Sequence, residues 1–206
     1  MNCLMKKFKD VVDFHGHACP GLALGYRVAL FALKRLGKKA LDEELVAIVE
    51  NNSCAVDAIQ SITGCTFGKG NLIFRDYGKQ VYTFIRRTSQ NTVALKGNGL
   101  RISVEWKPIE ETERDREMWN SYIQGDRSDK VLKTVHRRKS KKINVILNAE
   151  DKELFMVKKV KILLPREAEI LPSIRCTKCG EKVMESKARI KKGEIICIPC
   201  FDERTW

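Results

Sequence analysis

Apolar residues at helical spacing predict three helices in the amino-terminal third of the chain. A short helix is predicted over Phe8–His15. After Pro20, apolar residues recur every three or four positions as far as Gly37, the period of a helix with one buried face. These residues are Leu22, Tyr26, Ala29, Leu30, Leu33 and Leu36. A third helix is predicted to begin after Ser53, which is a favourable N-cap, and to end at Gly64.

Short apolar runs predict a sheet behind these helices. Glu44–Glu50 has the aliphatic composition of a buried strand. Turn residues separate four further predicted strands: Leu72–Tyr77, Gln80–Arg86, Asn91–Lys96 and Leu100–Trp106. Two more are predicted at Asn144–Leu147 and Val157–Leu164, with one helical turn at Asp151–Phe155 between them. We expect an antiparallel meander, and therefore an α+β core in which N-terminal helices pack on a mainly antiparallel sheet.

Residues 109–140 are predicted to be helical, first acidic and then, after a break at Gly125, strongly basic. The basic part, Arg127–Lys142, contains eight lysines and arginines. It fits either a solvated helix whose apolar residues face the core or a nucleic-acid-binding surface. No aromatic residue lies within the segment to stack on bases, so the solvated helix is the favoured interpretation.

The composition fits a globular protein with a basic surface. The chain has 206 residues, is 43% hydrophobic and carries a formal charge of +13. No apolar run approaches the roughly 18 to 20 residues that a membrane span needs, and the charged start has no secretory apolar core. We therefore expect no membrane association and a cytoplasmic location. Four of the eight cysteines form two C-x-x-C pairs, which favours reduced thiols that hold metal over disulfides.

The C-terminal cysteines predict a zinc finger. Cys176 and Cys179 form one pair and Cys197 and Cys200 the other, with 17 residues between the inner cysteines. This spacing suits a closed four-cysteine site, which holds zinc for structure and not for catalysis. A predicted hairpin turning at residues 191–193 and a short terminal helix complete a treble clef. We expect an α+β core over residues 1–165 and the finger over residues 166–206.

A second cluster of metal-ligand and nucleophile side chains precedes the longest predicted helix. His15, His17 and Cys19 lie within five residues, and Cys54 begins another helix. Two helix starts that each carry a cysteine favour thiolates. One hypothesis is a second transition-metal site built by His17, Cys19 and Cys54, with His15 and Cys65 nearby. Another is an enzyme with Cys19 or Cys54 as nucleophile and His17 as base. The remaining alternative is structural: the histidines cap and pack the helix entry.

Three segments resemble the FmdE family, whose members are named after formylmethanofuran dehydrogenase: His15–Gly21, Cys54–Gln60 and Thr63–Leu72. The four-cysteine tail resembles that of the members that carry a C-terminal zinc finger. The resemblance implies an α+β core, an auxiliary treble-clef finger and intertwined homodimers. It also implies association with the molybdenum or tungsten dehydrogenase of the first step of methanogenesis. It implies no reaction for these proteins, so enzymatic activity stays open, and regulation, RNA binding and metal sensing are the alternatives.

Overall fold

The computed structural model describes residues 6–37, 41, 44–87, 96–107, 109–165 and 170–202. The chain divides into two compact units, Met1–Glu167 and Ala168–Trp206, which are described separately. The helices of the first unit are α1 (Phe8–His15), α2 (Pro20–Leu36), α3 (Ala55–Thr63), α4 (Glu113–Ile123), α5 (Asp129–Asn148) and α6 (Asp151–Leu154). Its strands are β1 (Leu45–Val49), β2 (Leu72–Phe74), β3 (Val81–Arg86), β4 (Lys96–Val104) and β5 (Phe155–Leu163).

The first three helices form where the sequence predicts them because their boundaries are set locally. Pro20 occupies the first position of α2, where its missing N–H costs nothing. Gly16 and Gly64 follow α1 and α3 with φ of 96° and 74°, a left-handed conformation that residues with a Cβ adopt only at a cost. The buried stripes of α2 and α3 then cover the sheet, which gives the predicted helices-on-sheet fold.

The sheet is mixed, with strand order β2-β1-β3-β4-β5, so the predicted simple meander is wrong. Strand β2 does not follow β1 as a hairpin partner; it lies parallel to β1, with Ala47 opposite Leu72. The chain reaches it through α3, and a helical crossover returns the chain to run in the same direction. The other three pairings are antiparallel. Strand β1 lies second in the sheet and is buried along its whole length.

Strand β4 is one long element where the sequence suggests two shorter ones. It begins at Lys96 and pairs with β5 over nine residues. The predicted strand Asn91–Lys96 lies outside the described residues except for Lys96. Gly97 and Gly99 pair with Ile162 and Val160 of β5 and continue the strand instead of turning. The side chain of Ile85 on β3 lies within 3.3 Å of a Cβ built at either glycine, so both positions favour the absence of a side chain.

Helix α5 extends to Asn148, so the predicted strand Asn144–Leu147 is wrong. A short apolar run fits a buried strand or a helix equally well, and here it continues a helix already under way. Val131, Val135 and Ile146 are the buried side chains of α5. The helical turn α6 and strand β5 lie close to their predicted positions. Within the described part of the chain, no helix combines the length and the apolar character that crossing a lipid bilayer needs.

The second unit consists of two small hairpins and a terminal helical turn. Strand β6 (Ser173–Arg175) pairs with β7 (Lys182–Met184), and β8 (Arg189–Lys191) pairs with β9 (Glu194–Ile196). The hairpin turn predicted at residues 191–193 is a two-residue turn, because Lys191 pairs with Glu194, and Lys192 and Gly193 both have the positive φ that such a turn requires. Helix α7 (Ile198–Phe201) follows Cys197 directly.

Candidate metal centres

The structure brings together four side chains that could ligate a metal in the first unit. His15 ends α1, Cys19 caps α2, Cys54 caps α3, and His17 lies in the link between the first two helices. Each residue offers one ligand atom, and these atoms all lie within 4.8 Å of one another. The imidazole rings of His15 and His17 have centroids 4.5 Å apart. We call these four residues the core cluster.

His15 is held by a carboxylate on the neighbouring helix. Its Nδ1 lies 2.7 Å from Oδ2 of Asp57, in the first turn of α3. The side chain is only 11% exposed, and its other nitrogen, Nε2, is buried with no hydrogen-bond partner. A buried polar atom without a partner is costly, and Nε2 is the nitrogen that a His–carboxylate pair normally presents to a metal.

The two cysteines face each other across the starts of α2 and α3. Cys19 is buried, and its Sγ accepts a hydrogen bond from the backbone N–H of Leu22 at 3.3 Å. Burial raises the pKa of the Cys54 thiol, and a hydrogen bond with Cys19 raises it further. Without a cation, this environment therefore opposes a thiolate at Cys54. A bound metal ion would offset that cost because it stabilises the ionised form.

Two glycines on one face of α2 allow the helices to approach so closely. A Cβ at Gly25 would lie 2.2 Å from the backbone oxygen of Ala55, the first residue of α3. One at Gly21 would lie 3.5 Å from the Cβ of Cys54. Sequence reasoning missed this contact, although two glycines four residues apart on one helix face indicate close backbone packing.

Cys65, expected near the core cluster, is placed elsewhere. It lies two residues beyond the end of α3, whereas Cys54 directly precedes the helix, and about 14 Å of helix separates the two ends. Its buried Sγ lies 3.2 Å from the carbonyl oxygen of Leu45, and burial raises its pKa to about 11. We therefore leave Cys65 out of the core cluster. His15, expected only nearby, belongs to the cluster itself.

The four C-terminal cysteines form a second cluster in the described structure. Cys176, Cys179, Cys197 and Cys200 also place their sulfur atoms within 4.8 Å of one another, and the Sγ atoms of Cys179 and Cys197 are 3.8 Å apart. The backbone N–H of Cys197 donates to Sγ of Cys176 at 3.3 Å. Gly180, with φ of 77°, closes the turn after the first pair.

The charge state of these thiols fits a cation site. Backbone N–H groups of Cys179 and Cys197 lower the pKa of Cys176 to about 6. A hydrogen bond with Cys197 and burial raise the pKa of Cys200 to about 12. The protein groups alone thus favour a thiolate at Cys176 and oppose one at Cys200, and a divalent cation would let both ionise.

Comparison with known proteins agrees with both parts of the chain. The family model described as FmdE, molybdenum formylmethanofuran dehydrogenase operon, matches residues 14–156. The chain belongs to the FmdE family. The resemblance found in the sequence is thereby confirmed. Residues 169–205 match the prokaryotic dksA/traR C4-type zinc finger, so this FmdE-family chain carries a C4 finger whose cysteine cluster is suited to zinc.

Two individual proteins are similar to this FmdE-family member. A tungsten formylmethanofuran dehydrogenase FmdE-like protein from Syntrophus aciditrophicus has a similar fold, with a TM-score of 0.60 and 21% identity over 100% of this chain and 97% of that one. A probable S-adenosyl-L-methionine-binding protein from Archaeoglobus fulgidus is 33% identical over 91% of this chain. The chain spans about half the length (50%) of that relative.

Proposed function

We propose that the core domain of this FmdE-family protein binds a transition-metal ion through His15, His17, Cys19 and Cys54. The observation that carries the proposal is Nε2 of His15, which is buried, unpartnered and directed by Asp57. If the cluster only packed the helix entry, that nitrogen would be expected to have a hydrogen-bond partner. A metal ion supplies the missing partner.

The donor set defines the class of metal. Two imidazoles and two thiolates suit zinc and the softer first-row ions, and they disfavour magnesium and calcium, which prefer oxygen ligands. With all four ligands bound, such an ion would be structural; it would act as a Lewis acid only with a coordination position open to a further ligand. His15 would be the nitrogen ligand with a fixed ring orientation, because Asp57 holds its ring. His17 is exposed, so it would bind the ion from the solvent side.

A metal site explains the cysteines better than a free nucleophile does. A thiol nucleophile needs a lowered pKa, whereas burial and Cys19 raise the pKa of Cys54. Cys54 is therefore assigned here as a ligand, and Cys19 and His17, the other catalytic candidates of the sequence, lie in the same cluster of ligand atoms. No reaction is assigned to the protein.

The C-terminal unit is proposed to be a treble-clef finger with one structural zinc. A knuckle at Cys176–Gly180, the hairpin of β8 and β9, and helix α7 after Cys197 are the three parts of that motif. The unit has a hydrophobic cluster of three buried residues, two of them cysteines, which is too small to stabilise about 40 residues without metal.

Family membership supports an accessory role alongside a molybdenum or tungsten formylmethanofuran dehydrogenase, and a homodimer. Strand β5 lies at the edge of the sheet, and Met156, Val157 and Leu163 are exposed on it, so a second copy could cover them. The seven cysteines in the described part of the chain are all free thiols, as two thiolate metal sites require. A reducing cytoplasm would keep them so.

Metal stoichiometry of three full-length proteins tests the proposal. We expect two metal ions per chain in the wild type by mass spectrometry of the purified protein. A core variant, His15→Ala with Cys54→Ser, should keep one, and a finger variant, Cys176→Ser with Cys179→Ser, should also keep one. If the core variant retained the wild-type metal content, the core site would be refuted. The core site would also be refuted if the finger variant contained no metal, because the core cluster should still hold one ion in that variant.

A further inference from the structure

One face of α5 carries a row of exposed basic side chains. Lys130, Lys133, Arg137 and Lys141 follow one another at intervals of three, four and four residues, which places them on one side of the helix. All four are exposed, and the side chain of Arg137 is 70% accessible. The row is about 16 Å long at the helical rise. We call these four residues the basic row.

The helix that carries the basic row is fixed on the domain. Its apolar side chains Val131, Val135 and Ile146 are buried. Near its C-terminal end, the guanidinium of Arg27 on α2 donates to the carbonyl oxygens of Ile146 and Leu147, at 2.7 and 2.9 Å. The basic row is therefore presented by a rigid support, and ordering it on binding costs little.

Glu111, just before α4, and Asp115, in its first turn, neutralise one flank of α5 and leave the row largely positive. Glu111 pairs with Arg138 and Lys142, and Asp115 pairs with Arg137. In the described part of the chain, Lys130, Lys133 and Lys141 have neither an ion-pair nor a hydrogen-bond partner for their ammonium groups. Three unpaired lysines on one line produce a strong local positive potential.

Aromatic residues of α4 restrain the arginines on the same flank. The guanidinium of Arg138 lies 4.3 Å from the centre of the Trp119 ring, and that of Arg127 lies 4.1 Å from the centre of the Tyr122 ring. The two rings also stack on each other, with centroids 5.6 Å apart. Because arginine guanidinium groups already cover these rings, the rings are poor platforms for stacking a base. A nucleic acid would therefore contact the charged side chains of this surface and would not stack on its aromatic rings.

We propose that the basic row binds the phosphodiester backbone of a nucleic acid, independently of base sequence. A row of about 16 Å spans about five nucleotides of one strand at 3.4 Å each. A lipid surface fits less well, because membrane-bound amphipathic helices insert an apolar face, and the apolar face of α5 is buried in the domain. This binding is separate from the metal site and does not depend on it.

Salt-dependent binding to labelled nucleic acid tests the basic row. Fluorescence anisotropy is measured for the full-length protein with a 20-nucleotide single strand and with a 20-base-pair duplex, each in two unrelated sequences. We expect equal affinity for the two sequences and a linear fall of log K with log salt. The slope should be about −3 on the single strand or about −4 on the duplex if four phosphates are neutralised. The form with the tighter binding identifies the partner.

Two triple variants with equal loss of charge separate the basic row from the net charge. Lys130→Ala, Lys133→Ala and Lys141→Ala together should weaken binding at least about tenfold and reduce the slope by about 2 to 3, since each phosphate contact contributes about one unit. The control replaces three exposed lysines outside α5 and β5, Lys9, Lys34 and Lys79, and should change the affinity less than about twofold. Circular dichroism must show both variants folded.

Four results would overturn the proposal. The wild type could fail to bind at 20 mM salt, or the two triple variants could lose affinity equally, which would assign binding to net charge alone. Phosphatidylserine vesicles could also compete as well as unlabelled nucleic acid at equal phosphate concentration, which would assign the row to a membrane surface. Finally, the basic-row variant could bind with the wild-type affinity and the wild-type slope of log K against log salt, which would place the phosphate contacts on another surface.

Discussion

His15 Nδ1 lies 2.7 Å from Oδ2 of Asp57, and this contact fixes which nitrogen of His15 is free. A ring that donates its Nδ1–H to a carboxylate keeps the lone pair on Nε2, which is the buried atom without a partner. The pair thus joins the end of α1 to the first turn of α3 and orients one ligand of the core cluster.

Replacing Asp57 by Asn should weaken metal binding at the core cluster about 10- to 100-fold, the usual cost of losing a carboxylate behind a histidine ligand. Competition with a chromophoric chelator measures this affinity, and the finger zinc provides an internal reference that should not change. The matched control is Asp13→Asn, which removes the same charge from an exposed residue of α1. Equal losses in the two variants would mean that general electrostatics, and not the His15 contact, sets the affinity.

Gly25→Ala should destabilise the first unit by about 3 kcal/mol and weaken the core site together with it. The added Cβ would overlap backbone atoms of Ala55. Backbone atoms, unlike a flexible side chain, cannot rotate away, so the two helices would have to move apart. Urea unfolding measures the loss. Gly68→Ala is the control, because no atom lies within 4 Å of its added Cβ, and we expect a change within about 0.5 kcal/mol. A neutral Gly25→Ala variant would contradict the close packing of α2 on α3.

The attachment of the segment just before α4 to helix α5 should weaken in acid. Hydrogen bonds from Arg138 and Lys142 lower the pKa of Glu111 to about 2, from an ordinary value of 4.5. A carboxyl whose pKa is lower in the folded state stabilises the fold above pH 4.5, and that contribution is lost as the pH falls from 4.5 to 2. We expect a loss of order 1 kcal/mol, because the pair is partly solvated.

Thermal unfolding of wild type and Glu111→Gln between pH 7 and pH 2 measures this effect. The variant should be less stable at pH 7, and its difference from the wild type should shrink towards pH 2. Glu113→Gln is the control, since Glu113 is exposed in the first turn of α4, two residues further along the chain. A difference that does not change with pH would show that the Glu111 carboxylate is not the group responsible.

Removal of the finger metal should unfold the second unit alone. Free energies of zinc binding in small fingers are about 10 to 16 kcal/mol, far more than the few buried side chains of this unit supply. In the Cys176→Ser, Cys179→Ser variant, limited proteolysis should cleave within residues 170–202 and leave the first unit intact. Protection of that segment equal to the wild type would argue against a structural metal.

The sequence predicts α1, α2 and α3 closely because caps and apolar periods are local. It also brings His17, Cys19 and Cys54 together as one hypothesis. The contact with Asp57 comes from 42 residues further along the chain, so nothing near His15 distinguishes a ligand from a packing residue.

Two elements differed from their predictions for physical reasons. The parallel pairing of β1 with β2 depends on which strands meet in three dimensions, and turn residues between them do not encode it. The run at residues 144–147 is apolar in either conformation, and only the burial of Ile146 on the domain selects the helix.

The ligands of the core cluster come from the ends of three helices, and residues 19 and 54 are 35 positions apart. An ion held there would close a loop that contains all of α2 and β1, and it would remove chain entropy from the unfolded state as a covalent crosslink does. The same few atoms that make the site would then determine whether α1, α2 and α3 unfold one by one or as a single unit.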